Sequence, residues 1–154
     1  MREFGKNLRK LNDADTARLH NIVDMGLSFS AMIRLFNKGA KRRLRDKIIS
    51  EIHKVFAVES QEQFDEAHAD FCSWGIHNIQ LAEKKKGGRI IKKGEAPSYG
   101  QIAKTLDVVL KVVVYYCHFP NNERANVISK WLHAAVDTKM MVFLKEYYPV
   151  NLVP

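Results

Sequence analysis

A chain of 154 residues, 46% hydrophobic and 27% charged, has the length of one ordinary domain and enough apolar content to bury its own core. It has no apolar run of the roughly eighteen residues that a membrane-spanning helix needs. Its two cysteines, Cys72 and Cys117, are too few for a disulfide framework. The first residues, MREFGKNLRKLN, show neither an apolar core nor a small-residue cleavage site, so no secretory signal and a cytoplasmic, reducing setting are expected.

The formal charge of +8 is unevenly spread. Residues 1–54 carry a net +7, residues 55–83 a net −6, residues 84–111 a net +6, and the remainder a net +1. Two basic segments flank an acidic one. They allow a basic surface suited to a polyanion, or only solvated helix faces whose charges offset one another.

In chain order the pattern is helical. Leu19, Ile22, Val23, Gly26, Ile33 and Phe36 share a helical face beginning after a cap-like Asp13 or Asp15. Gly26 on that inner face predicts close approach by another helix. NKGA at 37–40 reads as a turn. Leu44, Ile48, Ile52 and Val55 mark a second helix. Ser60, followed by Glu62 and Gln63, opens a third with Phe64, Phe71 and Trp74 inward, expected to run through Leu81 to the lysines at 84–86. KGGRIIKKGEAP is a break too long for a simple helix connection, either a loop or a small hairpin.

Ser98 then opens a helix with a capping box that uses Gln101. The following VVLKVVVYY is rich in β-branched residues, which favour strands. Ile102, Leu106, Val109, Val113 and Tyr116 nevertheless fit a 3.6-residue period, and Asp107 and Lys111 are spaced as a helical pair. This predicts a central helix, covered round most of its circumference. Pro120 ends the region, and further helices are expected over Arg124–Val136 and Thr138–Tyr148. The fold expectation is all-α: one domain over 1–154, a bundle of five to seven helices with a basic loop near 84–97.

Lys104, Asp107 and Lys111 form a polar stripe on the central helix, and His133 and Asp137 stand four apart on the next. The stripe is either the wet edge of an amphipathic helix or one wall of a cleft faced by the His133–Asp137 pair. Its catalytic version has His133 as general base and Lys104 or Lys111 holding an anionic substrate. The polyanion version uses Lys41, Arg42, Arg43 and Arg45, together with Lys84, Lys85, Lys86, Arg89, Lys92 and Lys93, as phosphate contacts to nucleic acid, with no base-reading motif. Cations at 41–45 oppose the helix macrodipole, a local conflict that hints at an anionic partner. A third version is a protein–protein module, a homodimer among its forms, joined through apolar surface such as Tyr147–Tyr148.

No cofactor motif is present. KKKGGRIIKKG lacks the Gly-Lys-Ser/Thr ending of a phosphate loop. His68 and Cys72 share a helix face but His77 falls off it, so the three are read as a partly buried face rather than a metal site.

SYGQIAK and YCHF resemble the helix-turn-helix entry and the reactive Pro-Cys-His-Arg of DNA alkyltransferases. Cys117 has no Pro before it, His118 no Arg after it, and the thiol lies in an apolar run, so Cys117 is read as core. Residues 99–144 are similar to a group of uncharacterised bacterial proteins with a Gly-Gln-x-x-Lys-x-x-Asn-x-x-Leu-Lys helix and a later Leu-His-x-x-x-Asp segment. The matching residues are Gly100, Gln101, Lys104, Asp107 in place of Asn, Leu110, Lys111, Leu132, His133 and Asp137. The resemblance implies that the stripe and the His133–Asp137 pair belong together, and it implies no activity.

Overall fold

The computed structural model describes residues 13–86, 89–92 and 94–134, together with Glu146. Among these, five α-helices, a 3₁₀ turn, a π-helical turn and a two-stranded hairpin follow one another along the chain. The fold is an all-α bundle with a small β ribbon on it.

Helix α1 spans Asp13–Phe29 and buries Leu19, Ile22, Val23, Gly26 and Leu27. It stops before Ser30, so Ile33 and Phe36 do not continue its face as the periodicity suggested; a 3₁₀ turn over Ala31–Leu35 intervenes. Gly39 takes the turn at φ 87°, a left-handed conformation that costs glycine nothing. Helix α2 spans Ala40–Ala57 with Leu44, Ile48, Ile52 and Phe56 inward.

Helix α3 spans Gln61–Asn78. Ser60 caps it by accepting from the Gln63 N–H, and the Gln63 side chain reaches back to the Glu59 N–H at 2.8 Å. The helix ends at Asn78, short of the expected run into the lysines. Its buried face ends there too, because Ile79 and Leu81 are recruited by extended backbone: Leu81 pairs as an antiparallel bridge with Phe36. Strands β1, Lys84–Lys86, and β2, Arg89–Lys92, then form the hairpin alternative to a loop, with Lys86 opposite Arg89.

Helix α4 spans Tyr99–Leu110 and opens with the full capping box: the Ser98 hydroxyl accepts from the Gln101 N–H, and Gln101 accepts from the Ser98 N–H. A Ser98→Ala variant is expected to lose about 1 kcal/mol in urea unfolding; an unchanged midpoint would show that packing alone holds this end. The helix packs against both α1 and α3. Gly26 is the reason α1 can approach: a Cβ there would sit 3.0 Å from the Val109 Cα.

The helix then widens into a π turn over Lys111–Tyr116. Three successive valines, Val112, Val113 and Val114, are all buried. Consecutive residues of a regular helix point about 100° apart, so burying three in a row needs contact on several sides, and a π turn re-registers the helix there. Arg18 of α1 donates to the Cys117 carbonyl at 3.2 Å and lies over the Phe119 ring.

Helix α5, Asn122–Ile128, is shorter than the expected helix to Val136. Asn121 caps it. Arg124 from its first turn donates to the Phe56 and Val58 carbonyls at the end of α2, satisfying acceptors that the helix terminus leaves open. Residues 132–134 are irregular, so His133 is not on a helix. Asp137, the Thr138–Tyr148 segment and Tyr147–Tyr148 lie outside the described residues, Glu146 excepted. No helix among the described residues is long and apolar enough to cross a membrane.

Candidate functional site

The central helix buries one carboxylate. Asp107 is 8% exposed and Thr105 fully buried, the second explained by its hydroxyl donating to the Gln101 carbonyl one turn back. A carboxylate cannot be buried without partners, and those of Asp107 come from two other segments. His68, on α3 and 3% exposed, puts Nε2 2.8 Å from Asp107 Oδ1. His133, on the chain after α5, puts Nδ1 3.9 Å from the same oxygen.

The two imidazoles lie against each other with ring centroids 4.4 Å apart. Phe64, one turn before His68 on α3, meets His133 edge to face at 5.5 Å. The outer ring nitrogens are occupied as well. His133 Nε2 is 2.8 Å from Asp65 Oδ1, and His68 Nδ1 is 3.8 Å from Cys72 Sγ. Residues 64, 65, 68 and 72 rise along α3 at helical spacing, so one face of that helix supplies an aromatic wall, a carboxylate, an imidazole and a thiol.

The electrostatics follow from this packing. Burial works against a charged His68, but the hydrogen bonds to Asp107 and Cys72 outweigh it and raise its pKa to about 9. The hydrogen bond from His133 holds the Asp65 carboxyl below its ordinary value. At the rim, burial and then the neighbouring Cys72 raise the Tyr99 hydroxyl. An imidazole pair around one buried carboxylate can pass a proton or hold a cation.

The stripe divides. Asp107 is buried and turned to the histidines, Lys104 is half-buried, and Lys111 is exposed. Asp107 and His133 do converge, but the third member is His68 in place of a lysine. His77, Cys72's other neighbour in the metal reading, is exposed, with its Nδ1 on the Ser73 carbonyl. The sequence groups His68 with Cys72 and His77 on its own helix, whereas its partners in the cluster lie 39 and 65 positions away. The nearest sequence signal was a histidine on the apolar face of Phe64 and Phe71.

A separate cleft of about 260 Å³ opens between α2 and α3 over Leu106 and Leu110. It is rimmed by Lys47, Glu51 and Asp70, and the His68–Asp107–His133 cluster does not line it.

The basic residues gather elsewhere. Asn37 N–H donates to the Gln80 carbonyl at 2.8 Å and Ala82 N–H to the Leu35 carbonyl at 2.7 Å. These bonds place the root of the lysine hairpin beside the start of α2. On α2, Arg42 and Arg43 are exposed and Lys41 and Arg45 half-buried. Three of the four have partners: Lys41 reaches Ser28, Arg43 reaches Asn37, and Arg45 pairs with Asp24 and Asp46. These oxygens relieve much of the conflict between cations and the helix start. Lys84, Lys85, Lys86, Arg89 and Lys92 belong to the hairpin, and Lys93 lies outside the described residues.

No family model matches this chain, and neither a characterised protein nor a solved structure does.

Proposed function

We propose that the chain binds nucleic acid through its phosphates, without reading sequence and without catalysis. The observation that carries this reading is the bridge between Phe36 and Leu81. Two basic segments, some forty residues apart in sequence, have their roots joined by it. A phosphate backbone rewards such clustering, because each neutralised phosphate releases condensed counterions.

The roles differ along the face. Arg42 and Arg43 are exposed and supply direct contacts, while Arg45, engaged with Asp24 and Asp46, supplies field more than contact. The hairpin places Lys86 opposite Arg89 and Lys84 opposite Lys92 on a short ribbon. The acidic face of α3 repels the same ligand and so orients it.

Anisotropy of a labelled oligonucleotide at several salt concentrations tests the proposal. Affinity is expected to fall steeply with salt, and Arg42→Glu with Arg43→Glu to flatten the logarithmic slope by roughly two. Lys130→Glu, an exposed cation outside both segments, serves as the control. Absent binding at low salt, salt-indifferent binding, or an equal loss in the control would each reject it.

A further inference from the structure

We propose that His68, Asp107 and His133 form a binding site for a divalent first-row transition ion, of the zinc or ferrous type, with one coordination position facing solvent.

The donor atoms come first. One ligand atom from each residue can be chosen so that all lie within 4.8 Å of one another. Ligands about 2.0–2.2 Å from a tetrahedral ion stand roughly 3.4 Å apart. The contacts to Asp107 Oδ1, 2.8 Å from His68 Nε2 and 3.9 Å from His133 Nδ1, bracket that spacing. The third separation, between the two imidazole nitrogens, lies within 4.8 Å, so seating an ion draws the rings together by side-chain shifts of roughly an ångström.

The accounting of protons points the same way. An ionised carboxylate only accepts hydrogen bonds. Asp65, 2.8 Å from His133 Nε2, therefore fixes the proton on that nitrogen. In the neutral imidazole, Nδ1 of His133 is then the lone-pair nitrogen, and it faces a second carboxylate, Asp107. Cys72 Sγ, 3.8 Å away, engages the outer nitrogen of His68, as an acceptor when that nitrogen carries the proton. Two imidazoles, each with its outer nitrogen engaged, thus direct their inner nitrogens at one buried carboxylate oxygen. That electron-rich focus calls for a cation between the donors. In the metal-free chain a hydrogen between His68 Nε2 and Asp107 fills part of the role. The entering ion takes its place and the proton leaves to water.

Outer partners of this kind orient and strengthen histidine ligands. Two nitrogens and one carboxylate oxygen suit zinc, ferrous or cobaltous ions better than calcium or magnesium, which take all-oxygen cages. The burial is asymmetric: His68 and Asp107 are 3% and 8% exposed, whereas the His133 side chain is 36% exposed. Solvent reaches the site from the His133 side, giving three protein ligands and a fourth position for water.

Chelator-treated, untagged chain titrated with Co²⁺ and Zn²⁺ tests this. The expected result is one equivalent of Co²⁺ with visible bands of a low-coordinate ion, displaced by Zn²⁺, and a Zn²⁺ isotherm with one site. Ca²⁺ and Mg²⁺ should not compete. His133→Ala, a half-exposed change, should abolish stoichiometric binding. Asp65→Asn, at an exposed position, should weaken it about 10–100-fold. His77→Ala should leave it unchanged. If His133→Ala fails to fold, Asp65→Asn decides. No stoichiometric Co²⁺ or Zn²⁺ binding in the wild-type chain, or binding indifferent to both His133→Ala and Asp65→Asn, overturns the site.

Discussion

Asp107→Ala is expected to destabilise the metal-free protein by about 3–5 kcal/mol at neutral pH, the range for breaking one side of a buried ion pair. Asp107 is hydrogen-bonded to His68, lies 3.9 Å from His133 Nδ1 and is itself almost wholly buried. Its removal strands His68 in the core between Phe64 and Phe71 on the same helix.

The same pair sets a pH dependence. His68 is raised from 6.5 to about 9 in the folded protein, so the folded state holds its proton more tightly than the unfolded chain does. Stability from this group is therefore fully present below about pH 6.5 and is lost as the pH rises through 9. A shift of that size corresponds to stabilisation on the order of 3 kcal/mol. Asp65, Cys72, Tyr99 and His133 are the titratable groups set around the pair. Urea unfolding in chelator from pH 6 to pH 10 should show wild-type stability falling on the alkaline side, and Asp107→Ala should flatten that fall. Parallel curves for the two proteins would mean that the His68–Asp107 hydrogen bond contributes nothing.

The second large effect concerns how α3 reaches α4. A Cβ on Gly75 would stand 2.5 Å from Ile102 Cγ2, and 3.0 and 3.1 Å from its Cγ1 and Cδ1. Cγ2 is attached directly to Cβ of a fully buried, β-branched side chain, so it cannot swing aside by changing one distal torsion. Gly75→Ala is expected to cost about 1–3 kcal/mol by overpacking, well beyond the helix propensity that alanine brings. Ile102→Ala alone is expected to cost about 2–5 kcal/mol through its cavity. Combined, the two changes should destabilise less than their separate costs together, because the new methyl occupies space the isoleucine vacated. Strict additivity in a double-mutant cycle would show that the helices had moved apart instead. Because α3 carries His68 and α4 carries Asp107, a widened spacing would also loosen the cluster, read as weaker Co²⁺ binding.

The sequence by itself determined the local elements. Helical periodicity placed α1 to α4, Ser98 with Gln101 fixed the start of α4, and Gly26 on an apolar face marked a close helix contact. These rest on interactions within about four residues, which a sequence displays directly. The tertiary structure decided where elements end when a distant partner competes. Phe36 takes Leu81 into a bridge, so α3 stops at Asn78. Successive buried valines widen the end of the central helix into a π turn.

The site divides along the same line. Asp107 and His133 stand out as polar residues at suggestive spacing, yet spacing along one helix can pair Asp107 only with Lys104 or Lys111. The imidazole that meets it lies on another helix, 39 residues earlier. A carboxylate buried between α3 and α4 must take whatever donor the packing presents. That donor is His68, which in the sequence is one more residue on an apolar face.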